Sequence, residues 1–110
     1  MAKTKSRISR ITKHFVAQLE NKNIRVRQLI LFGSYATGEN KPYSDIDIAV
    51  ISPSFKGKGI LKRQELLGEA IYPLQEPIEA LGFTTQEYTN VTPMSFLSEI
   101  IATGKIIYKN

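Results

Sequence analysis

Apolar residues recur along the chain with two different periods, and the switches between them predict the elements. From Ser6 to Glu20 the apolar positions are Ile8, Ile11, Phe15, Val16 and Leu19, spaced to fall on one face of a helix. Asn21-Lys22-Asn23 is the predicted stop. Ile24 to Phe32 changes character: Val26 is followed by the unbroken run Leu29-Ile30-Leu31-Phe32, suited to a buried strand. Gly33 breaks that run, and Ser34-Tyr35-Ala36-Thr37-Gly38 predicts a short helical turn entered directly from the strand. Glu39 to Ser44 is polar, contains Pro42 and reads as a loop. Asp45 to Ile51 alternates acidic and apolar residues and then turns apolar, which predicts a second strand with both carboxylates on one face.

Ser52 to Gly59, rich in Ser, Pro, Gly and Lys, has the composition of an open, mobile loop. Ile60 to Tyr72 returns to the helical period. Pro77 to Thr84 predicts a third strand, its start blurred by Pro73 and Pro77. Thr85 to Tyr88 reads as a turn or helical cap, Ser95 to Thr103 as a helix stopped at Gly104, and Lys105 to Tyr108 as a last apolar strand. The order predicts an α/β (α+β) domain, a small mixed sheet flanked by helices. With 110 residues, one core fits and two do not, so residues 1–110 are expected to form a single domain.

Composition narrows the classes. There is no cysteine, which removes disulfides, zinc–thiolate sites and cysteine nucleophiles, and makes a reducing, cytoplasmic location the expectation. No apolar run approaches the ~20 residues needed to span a bilayer, so no membrane association is expected. The net charge is +5, carried largely by Lys3, Lys5, Arg7, Arg10 and Lys13 and by Lys56, Lys58, Lys62 and Arg63. Such an excess favours phosphate-bearing ligands or an acidic partner, although scattered lysines read first as solvated faces. These residues are not interleaved with aromatics and form no reading motif, so nucleic acid is not the expected partner. Homo-oligomerisation stays open.

The informative stretch is Phe32-Gly33-Ser34, ten residues, then Asp45-Ile46-Asp47. A strand that ends in Gly-Ser and turns at once into a helix presents unpaired backbone N–H groups. The glycine lets a phosphate approach the main chain, and the Ser34 hydroxyl adds a donor. Residues two apart on a strand share a face, so Asp45 and Asp47 point together while Ile46, Ile48 and Val50 point into the core. Two adjacent carboxylates repel unless a cation neutralises them, and an oxygen-only ligand set suits Mg²⁺ or Mn²⁺. Either half alone is commonplace. Together they are the equipment for phosphoryl or nucleotidyl transfer.

Leu31-Phe32-Gly33-Ser34-Tyr35-Ala36-Thr37-Gly38, followed by Ser44-Asp45-Ile46-Asp47-Ile48-Ala49-Val50, resembles the signature of the minimal nucleotidyltransferases of the DNA polymerase beta superfamily. Gly104 to Tyr108 also resembles the family's usual ending. The resemblance implies that Gly33 and Ser34 hold the triphosphate of ATP or another nucleoside triphosphate, and that Asp45 and Asp47 bind two Mg²⁺ ions. It also implies a third carboxylate from a later strand; Glu79 is the candidate, with Glu76 the fallback, and the family more often has Asp there. Stand-alone members pair with helical HEPN-domain proteins as toxin–antitoxin modules, some of them transferring AMP to a tyrosine of the toxin. Two alternatives stay open: an antitoxin that acts only by covering its partner, and transfer to a small molecule, for which relatives carry an additional domain. His14, Thr37, Tyr35, Tyr43, Lys62 and Arg63 are lesser candidates, the tyrosines for base stacking and the two cations for phosphate.

Overall fold

The computed structural model describes the backbone of residues 2–110 and the side chains of residues 4–110; Met1 and the Lys3 side chain lie outside the described residues. Helix α1 (Ala2–Asn21) buries the predicted stripe, with Phe15 and Leu19 fully enclosed. Asn23, at φ 63°, turns the chain back, and the Ile24 N–H donates to the Leu19 carbonyl at 3.0 Å. Strand β1 (Gln28–Phe32) leads into the one-turn helix α2 (Ser34–Thr37), and β2 (Ile46–Ile51) follows the polar loop. After a 3-10 turn at Pro53–Phe55 come α3 (Ile60–Ile71), a second 3-10 turn at Tyr72–Leu74, and β3 (Ile78–Phe83). The remaining elements are α4 (Thr85–Thr89), α5 (Phe96–Thr103) and β4 (Lys105–Lys109).

The four strands form one mixed sheet in the order β3-β2-β1-β4. β1 runs antiparallel to both of its neighbours, while β2 and β3 are parallel, joined by the α3 crossover that parallel pairing requires. This is the expected α/β sheet flanked by helices. One face, with Leu29, Leu31, Ile46, Ile48, Val50 and Ala80, packs on α1 and α3 through Phe15, Leu19, Leu67 and Ala70. The other, with Ile30, Ala49 and Ile51, packs on Ile100 of α5 beside Leu81, Phe83 and Tyr88. The central strands are thus apolar on both sides over most of their length, which is why they read as continuous runs rather than clean alternations. No helix among the described residues is long and apolar enough to cross a membrane.

Two boundaries differ from expectation. β1 begins at Gln28, not Ile24; Ile24 and Val26 are buried, the Arg25 N–H donates to Ser54 Oγ at 3.0 Å, and the lead-in meets the sheet at Arg27, whose N–H donates to the Ile51 carbonyl at 2.9 Å. The expected open loop from Ser52 is pinned at its start. Ser52 Oγ accepts from the Ser54 N–H at 3.0 Å, and Phe55 is fully buried under Gly82, where a Cβ would stand 2.8 Å from its ring. Lys56, Gly57 and Gly59, farther along, lie open to solvent.

Candidate active site

The register places the carboxylates. Phe32 of β1 lies opposite Asp47 of β2, and Asp47 lies opposite Glu79 of β3. Directly opposed residues share a sheet face, so Glu79, Asp47 and Phe32 form a row across three strands, on the face that carries α5. Farther along β2 on that face, Ala49 and Ile51 are sealed in the core, whereas Asp47 is half-buried and Asp45 and Glu79 are exposed. α5 covers one end of the face and leaves the carboxylate end open.

Gly33 follows Phe32 with φ 71° and ψ −152°, a region that only glycine occupies without strain. A Cβ there would collide with the Asp47 carboxylate, coming within 3.1 Å of Cγ. The turn therefore passes directly over the Asp47 carboxylate, and glycine is required by that approach as well as by the dihedral. The Gly33 carbonyl accepts from the N–H groups of Ala36 (3.0 Å) and Thr37 (3.2 Å). The N–H groups of Ser34 and Tyr35, at the helix start, have no intrahelical partner by construction, and the Ser34 hydroxyl is half-buried beside them.

The electrostatics of the row are uncompensated. Burial, then the charges of Glu79 and Asp45, push the Asp47 carboxyl above the usual carboxylate range. Among the described residues none of these three carboxylates joins an ion pair. Nor, among the described residues, do any three His, Cys, Asp or Glu side chains converge into a complete metal cage. The donors are all carboxylate oxygens held beside a backbone turn, which fits Mg²⁺ or Mn²⁺, cations ordinarily bound by one or two carboxylates plus substrate phosphates.

The structure separates the remaining candidates from this row. Glu76 pairs with Arg7 of α1 at 2.8 Å, and the same guanidinium donates to the Tyr35 hydroxyl at 3.1 Å. Tyr35 is buried and Tyr43 is 81% exposed. Arg63 is absorbed by the scaffold, donating from Nε to the Lys58 carbonyl at 2.7 Å and from Nη1 to Gly82 and Glu87. Lys62 pairs with Glu65 along its own helix. His14 is exposed on α1, and the Thr37 hydroxyl donates to Glu39 at 3.0 Å. Sequence reasoning passed over Phe96, whose ring packs edge-to-face on Phe32 at 5.9 Å. Only its place directly after the capping Ser95 hints at a fixed orientation, and no spacing links it to Phe32.

A sequence profile of the nucleotidyltransferase domain matches residues 9–102. The chain belongs to that family. It is 46% identical over 48 residues to a candidate protein adenylyltransferase of Methanocaldococcus jannaschii. That match covers 44% of this chain and 55% of the relative, so it spans about half of the relative's length. The fold superposes on a candidate nucleotidyltransferase from Sulfolobus solfataricus with a TM-score of 0.71 at 17% identity, over 99% of this chain and 86% of that one. It also resembles a toxin–antitoxin solved with AMP-PNP (TM-score 0.56, 22% identity, 87% and 72% covered). A mutant of the toxin–antitoxin MntA–HpeT gives 0.52 at 19%, with 86% and 70% covered. At these identities the structural likenesses speak for the fold.

Proposed function

We propose that this domain transfers a nucleoside monophosphate from ATP or another nucleoside triphosphate to a hydroxyl group, in a Mg²⁺- or Mn²⁺-dependent reaction. The observation that carries the reading is the approach of the Gly33 turn to Asp47, with Glu79 in register beside it. In this reading the Ser34 and Tyr35 N–H groups and the Ser34 hydroxyl bind the triphosphate, and Asp45, Asp47 and Glu79 hold the cation. Bound divalent metal supplies charge neutralisation on the phosphate oxygens. In the same reading Glu79, exposed on the edge strand at the outer end of the row, takes the acceptor's proton. The acceptor oxygen bonds to the α-phosphorus as the bond to the β-phosphate bridge breaks, and pyrophosphate leaves.

The relative named for protein adenylyltransferase activity and the toxin–antitoxin neighbours support a protein acceptor, and we assign that role to a HEPN-type toxin, with this chain as its antitoxin. One observation favours a second reading, an antitoxin that acts by covering its partner. The third carboxylate is the longer Glu79, and no complete cage forms among the described residues.

The test is transfer of label from ATP in the presence of Mg²⁺, with the protein alone and with a HEPN partner, beside Asp45→Ala/Asp47→Ala. Label on the partner, lost by at least two orders of magnitude in the double variant, is the expected result. Metal-dependent ATP binding without transfer supports the covering antitoxin. Absence of ATP binding removes the site assignment.

A further inference from the structure

The row that holds the carboxylates does not end at Asp47. Its next member is Phe32, and the Phe96 ring stands perpendicular to it, centroids 5.9 Å apart and planes at 86°. In that T-shaped geometry the two rings brace each other, and more than half of Phe96 stays open to solvent. Phe96 opens α5 and is 55% exposed, while Leu97 and Ile100 of the same helix are buried. It is fixed in place. Ser95 caps the helix by accepting from the Ser98 N–H at 3.1 Å, and the Phe32 contact holds the ring itself. Met94, immediately before the cap, is 99% exposed.

A rigid, half-exposed aromatic at the end of a carboxylate row has a natural occupant. A ligand anchored by its phosphates at the Gly33 turn and the carboxylates carries a planar, apolar-faced group at its other end. We infer that Phe96, backed by Phe32, is the platform on which the nucleobase of the bound triphosphate stacks. The inference rests on the nucleotide reading of the carboxylate site and adds what that reading lacks, a determinant for the base. A phenyl ring offers a π face and no hydrogen-bonding edge, so it grades bases by stacking area. The platform therefore prefers purine to pyrimidine triphosphates and distinguishes adenine from guanine weakly.

Binding to the purified chain is measured by calorimetry with Mg²⁺, using ATP, GTP, CTP and inorganic tripolyphosphate as probes, for the wild type, Phe96→Ala and Phe96→Tyr. Base–aromatic stacking lost on alanine substitution corresponds to roughly tenfold or more in affinity. The expected result is ATP weakened about tenfold by Phe96→Ala with tripolyphosphate unchanged, near-wild-type binding by Phe96→Tyr, and ATP and GTP ahead of CTP in the wild type. An equal loss of ATP and tripolyphosphate would mark Phe96 as a support of the phosphate site and overturn the platform. Unchanged ATP binding in Phe96→Ala overturns it too, while leaving the nucleotide site standing and pointing the exposed ring toward a protein partner. A wild type that binds neither ATP nor tripolyphosphate overturns both readings together.

Discussion

The two ends of β3 carry opposite kinds of charged cluster. At the Gly82 end, the Arg63 guanidinium donates to the Gly82 carbonyl (3.1 Å), to the Lys58 carbonyl (2.7 Å) and to both Glu87 oxygens (2.8 and 3.3 Å), and lies 5.9 Å over the Phe55 ring. Each of the three guanidinium nitrogens has a partner from this chain. At the Glu79 end, three carboxylates share one patch and, among the described residues, no cation of the chain answers them. Charges that hold the scaffold are neutralised within the fold; charges left facing one another are waiting for something from outside. The comparison also explains why Arg63 and Lys62 bind no phosphate in this reading, although their positive charge made them candidates.

Removing the satisfied cluster should cost the most. Arg63→Ala strips bonds from two backbone carbonyls, leaves Glu87 unpaired and exposes the Phe55 ring. The expected loss is about 2–3 kcal/mol, from charged hydrogen bonds and lost packing around a side chain only 14% exposed. For a chain of this size that lowers Tm by about 10 °C or more. Urea denaturation measures it directly, and affinity for a nucleoside triphosphate at 20 °C should stay within about twofold. A stability change under about 0.5 kcal/mol would mean that the cluster is solvated decoration and that the contrast between the two ends is false.

The unsatisfied cluster should respond with the opposite sign. Ionising Asp47 carries a cost, because burial and then the charges of Glu79 and Asp45 raise its pKa in the folded chain. A carboxyl with a raised folded pKa contributes its full stability below the unfolded value and loses it as pH rises through the folded one. Asp47→Asn removes that penalty while keeping the shape. In EDTA at neutral pH the variant should melt above the wild type, by no more than a few degrees because solvent screens this partly exposed site. Adding ATP with Mg²⁺ should raise the wild type and not the variant, reversing their order. A variant less stable than the wild type without metal would show that Asp47 is a structural residue.

This division was only half legible in the sequence. The run Leu29 to Phe32, the break at Gly33 and the Asp45/Asp47 alternation are local, and they fixed two strands and the turn between them. That Gly33 stands over Asp47 follows once those strands pair, because an antiparallel register sets Phe32 against Asp47. Glu79 needed more: a parallel pairing across a crossover, which no local pattern specifies and which only the family resemblance supplied. Glu76 could not be set aside from sequence, since its partner Arg7 is 69 residues away. Phe55 illustrates the other failure. In a stretch of Ser, Pro, Gly and Lys it looks like one apolar residue in an open loop, yet the gap above it at Gly82 makes it a fully buried anchor. The matching pieces lie 27 positions apart in the chain.

The smallest expected effect tests the satisfied cluster from its acidic side. Glu87 accepts from Arg63 and also closes a capping box, its Oε1 accepting from the Thr84 N–H at 2.8 Å while Thr84 Oγ1 accepts from the Glu87 N–H at 2.9 Å. The Arg63 hydrogen bond, ahead of the opposing effect of burial, holds this carboxyl below the ordinary glutamate value of 4.5. A carboxyl with a lowered folded pKa contributes stability above its unfolded value and loses it as pH falls through the folded one. The wild type should therefore exceed Glu87→Gln in Tm at pH 7, and the gap should close as the pH is taken from above 4.5 to well below it. Because the side chain is 46% exposed, screening limits the gap to a few tenths of a kcal/mol, about 1–2 °C. Repeating the scan in Arg63→Ala separates the two roles of Glu87. If the pH-dependent gap disappears there, the ion pair is its source; if it persists unchanged, the cap at Thr84 carries it, and Arg63 stabilises the fold through the carbonyls and Phe55 alone.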